Sequence, residues 1–381
     1  MGAWLARRNR EQPIRVIWAG DIVNPGSRLA LVLTVVSILA AACGTSSQVP
    51  TPAAVPEARW LGISFYDPGT QKVFIFGGQS LSLPTRQLSD MWSWDGKSWT
   101  PVPLPAGAVM PTERARGLSA YDPDHQRILL LGGIAGRKAF DFLRDVWSWA
   151  GGRWTRLSDA PTSASIDGGA MAYDSSRHQL VVVNMPPTFR WGVDDARGIS
   201  LETWLNDDNG WHLSSPAHKL PFAPESMVFD RTGNRILVAR LAVGGTEIWS
   251  WDGRDWSLAA EQVPAASRVL VDGGDLGVLA LESGDPLANA GEPRRVFRLQ
   301  GGHWVLAGPP TTGPGTVLSA VYDTPRHEIV TFSDIWQSKS RSTQLTSDDT
   351  WTWTLAAGWR KHPGRPPRDV NATPLASQAS A

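Results

Sequence analysis

The chain of 381 residues contains a single cysteine, Cys43. No disulfide can form within it, and metal centres built on cysteine clusters are excluded. It has no surplus of charge of either sign. The 36 Lys and Arg residues balance 36 Asp and Glu, which leaves no electrostatic footprint for nucleic acid and no polybasic patch for a membrane surface. Seven histidines are present, yet no two stand at metal-ligand spacing. A phosphate-binding glycine loop, a serine nucleophile elbow and a paired-carboxylate signature are missing too. No cofactor and no metal are therefore expected. The apolar segment Leu29 to Ala42 falls short of the roughly 20 residues that a membrane-spanning helix needs.

That segment has another reading. Arg7, Arg8, Arg10, Arg15 and Arg28 precede it, and it ends in Leu39-Ala40-Ala41-Ala42-Cys43-Gly44, which suits a secretory signal. The motif resembles the lipobox of bacterial lipoproteins, with Ala40 where Leu is commonest. The resemblance implies that residues 1–42 are a signal peptide, that Cys43 is lipidated as the new N-terminus, and that the protein sits on the extracytoplasmic side of the cell membrane, held by its lipid alone. Residues 43–56 then form the lipidated Cys and a flexible tether rich in Ser, Thr, Pro and Ala. At about 3.3 Å per residue the tether reaches at most some 45 Å. Residues 361–381, with Pro363, Pro366 and Pro367 and little apolar content, read as a disordered tail.

Between these ends lie 18 of the chain's 20 tryptophans. Most of them belong to a pattern that returns six times between Trp60 and Trp359, at intervals of about 50 residues. Each copy opens on a short strand ending in Tyr66-Asp67, Tyr121-Asp122, Tyr173-Asp174, Phe229-Asp230, Val271-Asp272 or Tyr322-Asp323. A short apolar run follows each Asp, for example Val73 to Phe76 or Leu180 to Val183, and reads as a strand buried on both faces. Next come Trp92/Trp94, Trp147/Trp149, Trp249/Trp251 and Trp351/Trp353, with Phe297 and Leu299 in the fifth copy. Each copy is closed by Trp99, Trp154, Trp211, Trp256, Trp304 or Trp359. Gly, Asn and Asp pairs such as Asp95-Gly96 and Asn209-Gly210 separate the last two strands, as tight hairpins require. Each copy is thus a four-stranded antiparallel meander.

The copies resemble kelch repeats, in which a Gly-Gly pair closes the second strand. Phe76-Gly77-Gly78 and Leu131-Gly132-Gly133 match closely, whereas Asn184-Met185, Arg240-Leu241, Glu282-Ser283 and Ser333-Asp334 replace the pair later. The resemblance implies an all-β fold, a six-bladed kelch-type β-propeller spanning residues 57–360 with four antiparallel strands per blade, and a monomer. The copies keep one strand order, so ring closure by packing of blade one on blade six is expected, with a swap involving residues 47 to 57 as the alternative. The recurring Asp residues read as turn formers and the Trp arrays as packing between blades. Tyr121 and Trp147 are both expected in the core.

A meander places the connections from second to third strand, and those between blades, on one face. They are long and uneven, and long loops on a rigid scaffold are where binding resides. The channel mouth on that face is the expected site. Its candidates are Arg59, Arg116, Asp167, Glu225 and Arg268 at the starts of the inner strands, with Asn184, Arg240 and Glu282 at the ends of the second strands. Such a mixed ring suits a polar or anionic ligand, and the partner expected on this face is a carbohydrate or a protein. The loop carrying Trp191, Asp194, Asp195 and Arg197 adds an aromatic platform beside charges.

The kelch resemblance also raises enzymes. Galactose oxidase chemistry needs histidine, tyrosine and thioether cysteine ligands for a redox copper. The four tyrosines are all in repeat positions and no cysteine lies outside the lipobox, so that chemistry is rejected. A sugar-acid epimerase or mutarotase needs only a base and a few Arg or Glu groups, which Arg116, Glu225, Arg268 and Glu282 could supply. The primary expectation is a ligand-binding or protein-interaction module without catalysis, with such an enzyme as the alternative.

Overall fold

The computed structural model describes residues 55–81, 84–103, 105, 107–136, 142–161, 169–184, 201–224, 226–242, 244–283, 292–317, 319–337, 344–364 and 368–369. Cys43, Asp167, Glu225 and the loop carrying Trp191 lie outside them.

Six antiparallel sheets follow one another along the chain, each with its first strand innermost. Blade one comprises Ile63–Asp67, Lys72–Phe76, Met91–Trp94 and Trp99–Pro101. Blade two comprises Leu118–Asp122, Arg127–Ile134, Phe142–Ala150 and Arg153–Arg156. Blade three follows with Ala170–Asp174, Gln179–Asn184, Glu202–Asp207 and Gly210–Leu213, and blade four with Ser226–Asp230, Arg235–Ala242, Gly245–Trp251 and Trp256–Leu258. Blade five uses Ser267–Asp272, Val278–Glu282, Val296–Gln300 and His303–Leu306. Blade six uses Val321–Asp323, Glu328–Gln337, Gln344–Thr354 and Gly358–His362. The first strands touch in the cyclic order of the blades, and that of blade six meets that of blade one. The fold is a closed six-bladed β-propeller, with no strand exchanged between blades among the described residues. Its last strand runs to His362, past the expected edge at Arg360, and Arg368–Asp369 pairs with the third strand of blade six.

Six hydrophobic clusters hold the ring, one at each seam between blades. At the seam of blades one and two, Phe65, Phe74 and Phe76 meet Leu130, Trp149 and Trp154. The reason is the period of the strands: one side of each buried strand faces the preceding blade and the other faces the next. The second Trp of each pair, Trp94, Trp149, Trp251 or Trp353, is fully buried. The closing Trp packs against it, with ring centroids 5.5 Å apart for Trp94–Trp99 and 5.3 Å for both Trp149–Trp154 and Trp251–Trp256, the tilted geometry that aromatic quadrupoles favour. Indole N–H groups stitch seams as well. Trp149 donates to Asp67 Oδ2 at 3.2 Å, Trp256 to Thr203 Oγ1 at 2.9 Å, and Trp99 to Thr350 Oγ1 at 2.7 Å, the last across the closure.

Trp147 is buried as expected, but Tyr121 is 37 % exposed. It stands one residue before the end of an inner strand, on the strand's exposed terminal turn side. The recurring Asp residues do turn chemistry. Asp67 accepts from the Gly69 N–H and the Thr70 hydroxyl, Asp174 from the Ser176 and Arg177 N–H groups, and Asp230 from those of Thr232 and Gly233.

Candidate functional site

The long connections do more than join strands. Arg59–Trp60 pairs with Gln79–Ser80, and Pro293–Arg294 pairs with Thr311–Thr312, so short two-residue ladders brace this side of blades one and five. Arg59 is held within such a brace. Its guanidinium donates to Gly77 O at 2.9 Å and to both oxygens of Asp90 at 2.8 and 2.9 Å, while Nε donates to Glu57 O at 3.0 Å. Only 3 % of Arg59 is exposed. Its guanidinium is a structural clamp.

The same clamp recurs in blade two on a residue that the sequence reading passed over. Arg114, fully buried, donates to Gly132 O at 3.0 Å, to both oxygens of Asp145 at 2.7 and 2.8 Å, and through Nε to Thr112 O at 3.0 Å. Two parallel N–H bonds to one carboxylate are the strongest geometry a guanidinium can reach. Burial works to raise the Asp90 and Asp145 carboxyls. The bonds from Arg59 and Arg114, aided by the indoles of Trp92 and Trp147, outweigh burial and keep both below the ordinary carboxylate value. The signal was present in the sequence: an Arg stands 31 residues before an Asp, itself two before the first Trp, in both copies. The clamp also accounts for the Gly-Gly pairs. Gly133 adopts φ +109°, and a Cβ there would lie 2.8 Å from Ala115 O. Side chains are barred where the clamp strand passes, and copies lacking this arginine are free of that demand.

Arg116 follows the second clamp, exposed, with φ +60° and its N–H donating to Leu61 O at 3.1 Å. Arg268 is half-buried on the inner strand of blade five. Asn184 ends the second strand of blade three fully buried, because Gly169 lets the two backbones close up. Arg240 faces Glu247 across the second and third strands of blade four, 3.7 Å apart, with its guanidinium 5.1 Å from the ring centre of Phe222. Glu282 accepts from Arg295 at Nη2 (2.7 Å), Nε (3.1 Å) and the backbone N–H (2.8 Å). Burial raises this carboxyl, and the Arg295 bonds and charge more than offset it, so Glu282 is held below the ordinary glutamate value. Arg59, Arg240 and Glu282 are thus each engaged within their own blade.

The opposite mouth carries a polar cluster at the seam of blades two and three. Asp124 Oδ2 accepts from the Tyr173 hydroxyl at 2.5 Å and faces His178 Nδ1 at 2.8 Å. Partial burial, followed by the bond to Asp124, drives the Tyr173 phenol well above its ordinary value. Blade-to-blade reach is general on this side. Arg177 of blade three bonds the carbonyls of Asn234 and Asp252 in blade four, and Arg231 pairs with Asp272 of blade five at 2.6 Å. The cluster and the arginines act as latches between neighbouring turns.

The fold and these clamps define a β-propeller whose charged groups largely serve its own architecture. No family model matches the chain, and no curated protein matches it. Among solved structures, it is similar to the fucose-recognising six-bladed lectin of Aleuria aurantia, with 13% identity and a TM-score of 0.47 over 82% of this chain and 99% of that one. A similar likeness is found to SapL1 lectin, solved with α-methyl fucoside, with 11% identity and a TM-score of 0.46 over 81% and 96% of the respective chains.

Proposed function

We propose that this chain is a kelch-type propeller displayed by a lipid on Cys43 outside the cytoplasmic membrane, where it acts as a binding module for a carbohydrate or a protein. The observation that carries the reading is the engagement of Arg59, Arg240 and Glu282 by partners of their own blades. Catalysis needs acid, base and cation converging on one reacting centre. A binding surface needs only a rigid rim, which the clamps and two-residue ladders supply. Glu282 bears on the epimerase alternative: a carboxylate held below its ordinary value by Arg295 is a poorer proton acceptor. Arg116 and Arg268 remain the favoured contacts at the channel mouth, together with Asp167 and Glu225.

A thermal-shift series with sugars, sugar acids and cell-wall fragments tests the module, since a ligand that binds only the native state raises the Tm. A shift abolished by Arg116→Ala or Arg268→Ala supports the mouth as the site. Turnover of any responding sugar would replace the module reading with an enzymatic one. For the anchor, Cys43→Ser should release the protein from the membrane fraction, and retention there would refute lipidation.

A further inference from the structure

Three arginines are buried among the described residues: Arg59, Arg114 and Arg294. Two of them grip a carboxylate of their own blade with both terminal nitrogens. Arg294 is 7 % exposed, and no carboxylate of the described residues comes within ion-pairing distance of it. Its Nε donates to Pro314 O at 3.0 Å, and its Nη2 is buried without a partner. The neighbouring acid is not available, because Glu282 is already gripped by Arg295 through three bonds. A buried charged donor left unsatisfied is costly, more so than a neutral one.

The surroundings are shaped to the same end. Arg294 lies on the short ladder with Thr311–Thr312, at the junction of blades five and six. Gly313 beside it has no side chain, and a Cβ there would come within 2.8 Å of both Arg294 Cγ and Trp359 Cδ1. The carbon Cδ1 adjoins the indole nitrogen of Trp359, which is itself buried without an acceptor. Two side chains that each carry a buried donor without a partner, one of them a permanent cation, therefore flank Gly313.

We infer that Arg294, joined by the indole N–H of Trp359, binds the carboxylate of a small ligand, which takes the place that Asp90 and Asp145 fill for Arg59 and Arg114. The planar guanidinium fork matches two carboxylate oxygens. A neutral sugar offers no equivalent charge. The inference rests on the reading of the propeller as a binding module and names a ligand class for it, through a residue other than Arg116 and Arg268.

The test is isothermal titration of the full mature chain with sodium glucuronate and sodium galacturonate at matched ionic strength, with glucose and galactose as neutral controls. Saturable binding of a uronate, absence of binding by its neutral parent, and at least tenfold weakening in Arg294→Met are expected. Arg294→Lys keeps the charge and stem but loses the fork, so it too should weaken binding; it serves if the Met variant fails to fold. Trp359→Phe, which keeps a ring and removes the N–H, should weaken binding several-fold. No uronate binding, or binding unchanged in both Arg294 variants, overturns the site. Response to a neutral glycan or a protein without any response to uronates would overturn it while leaving the module reading intact.

Discussion

Removing the Arg114 guanidinium would strand Asp145, whose side chain is 14 % exposed, and unsatisfy Gly132 O. Breaking such a pair costs about 3–5 kcal/mol, so Arg114→Ala should lower stability by that much in urea unfolding. Arg59→Ala should cost less, about 2 kcal/mol, because Asp90 is 42 % exposed and water can replace its partner. Equal losses would mean that carboxylate burial does not set the penalty. A similar contrast holds for aromatics. Trp147→Ala should cost about 3–5 kcal/mol, whereas Tyr121→Ala, at a ring 37 % exposed, should cost less than half of that. The sequence marked both rings by their repeat position, but repeat position fixes the strand, not the depth. It likewise aligned Arg59 with Arg116, since both precede an inner strand. The true counterpart is Arg114, recognisable only once the aspartate 31 residues on is included in the pattern.

At the scale of elements, the buried second strands and the Trp-bearing third strands were legible because burial on both faces and tight hairpins leave strong patterns. The two-residue ladders at Arg59–Trp60 and Pro293–Arg294 were not. A pairing so short has no periodicity, and its partner lies in an irregular connection. The Gly-Gly pairs link the two kinds of information, since they look like family marks but record where a clamp strand presses on the backbone. Gly133→Ala, at φ +109° and 2.8 Å from Ala115 O, should therefore destabilise by about 1–3 kcal/mol. A neutral result in the same unfolding assay would show that the clamp strand can move aside.

The whole ring depends on the seam where blade six returns to blade one. Asp323 and Glu328 stand directly opposite each other there, like charges that oppose pairing. Desolvation, then the charge of Asp323, raises the Glu328 carboxyl to about 6, against the opposing charges of Arg326 and Arg360. A raised carboxyl favours the protonated native state, so its contribution is fully present below the ordinary glutamate value and is lost as pH rises through about 6. His362, whose ring centre lies 5.2 Å from that of Trp94, acts with the opposite sign, because desolvation, then the Arg360 charge, lowers it. The difference between wild type and Glu328→Gln isolates the first effect. Wild type should lose stability relative to the variant between about pH 4.5 and 6, and parallel curves would refute the coupling. Because every blade is completed from consecutive strands and the first and last blades are neighbours, the ring has no privileged starting point. A circular permutant that joins the old ends at this seam and opens between blades three and four would preserve all six seams, moving the free ends, and any tether attached to them, to the far side of the disc.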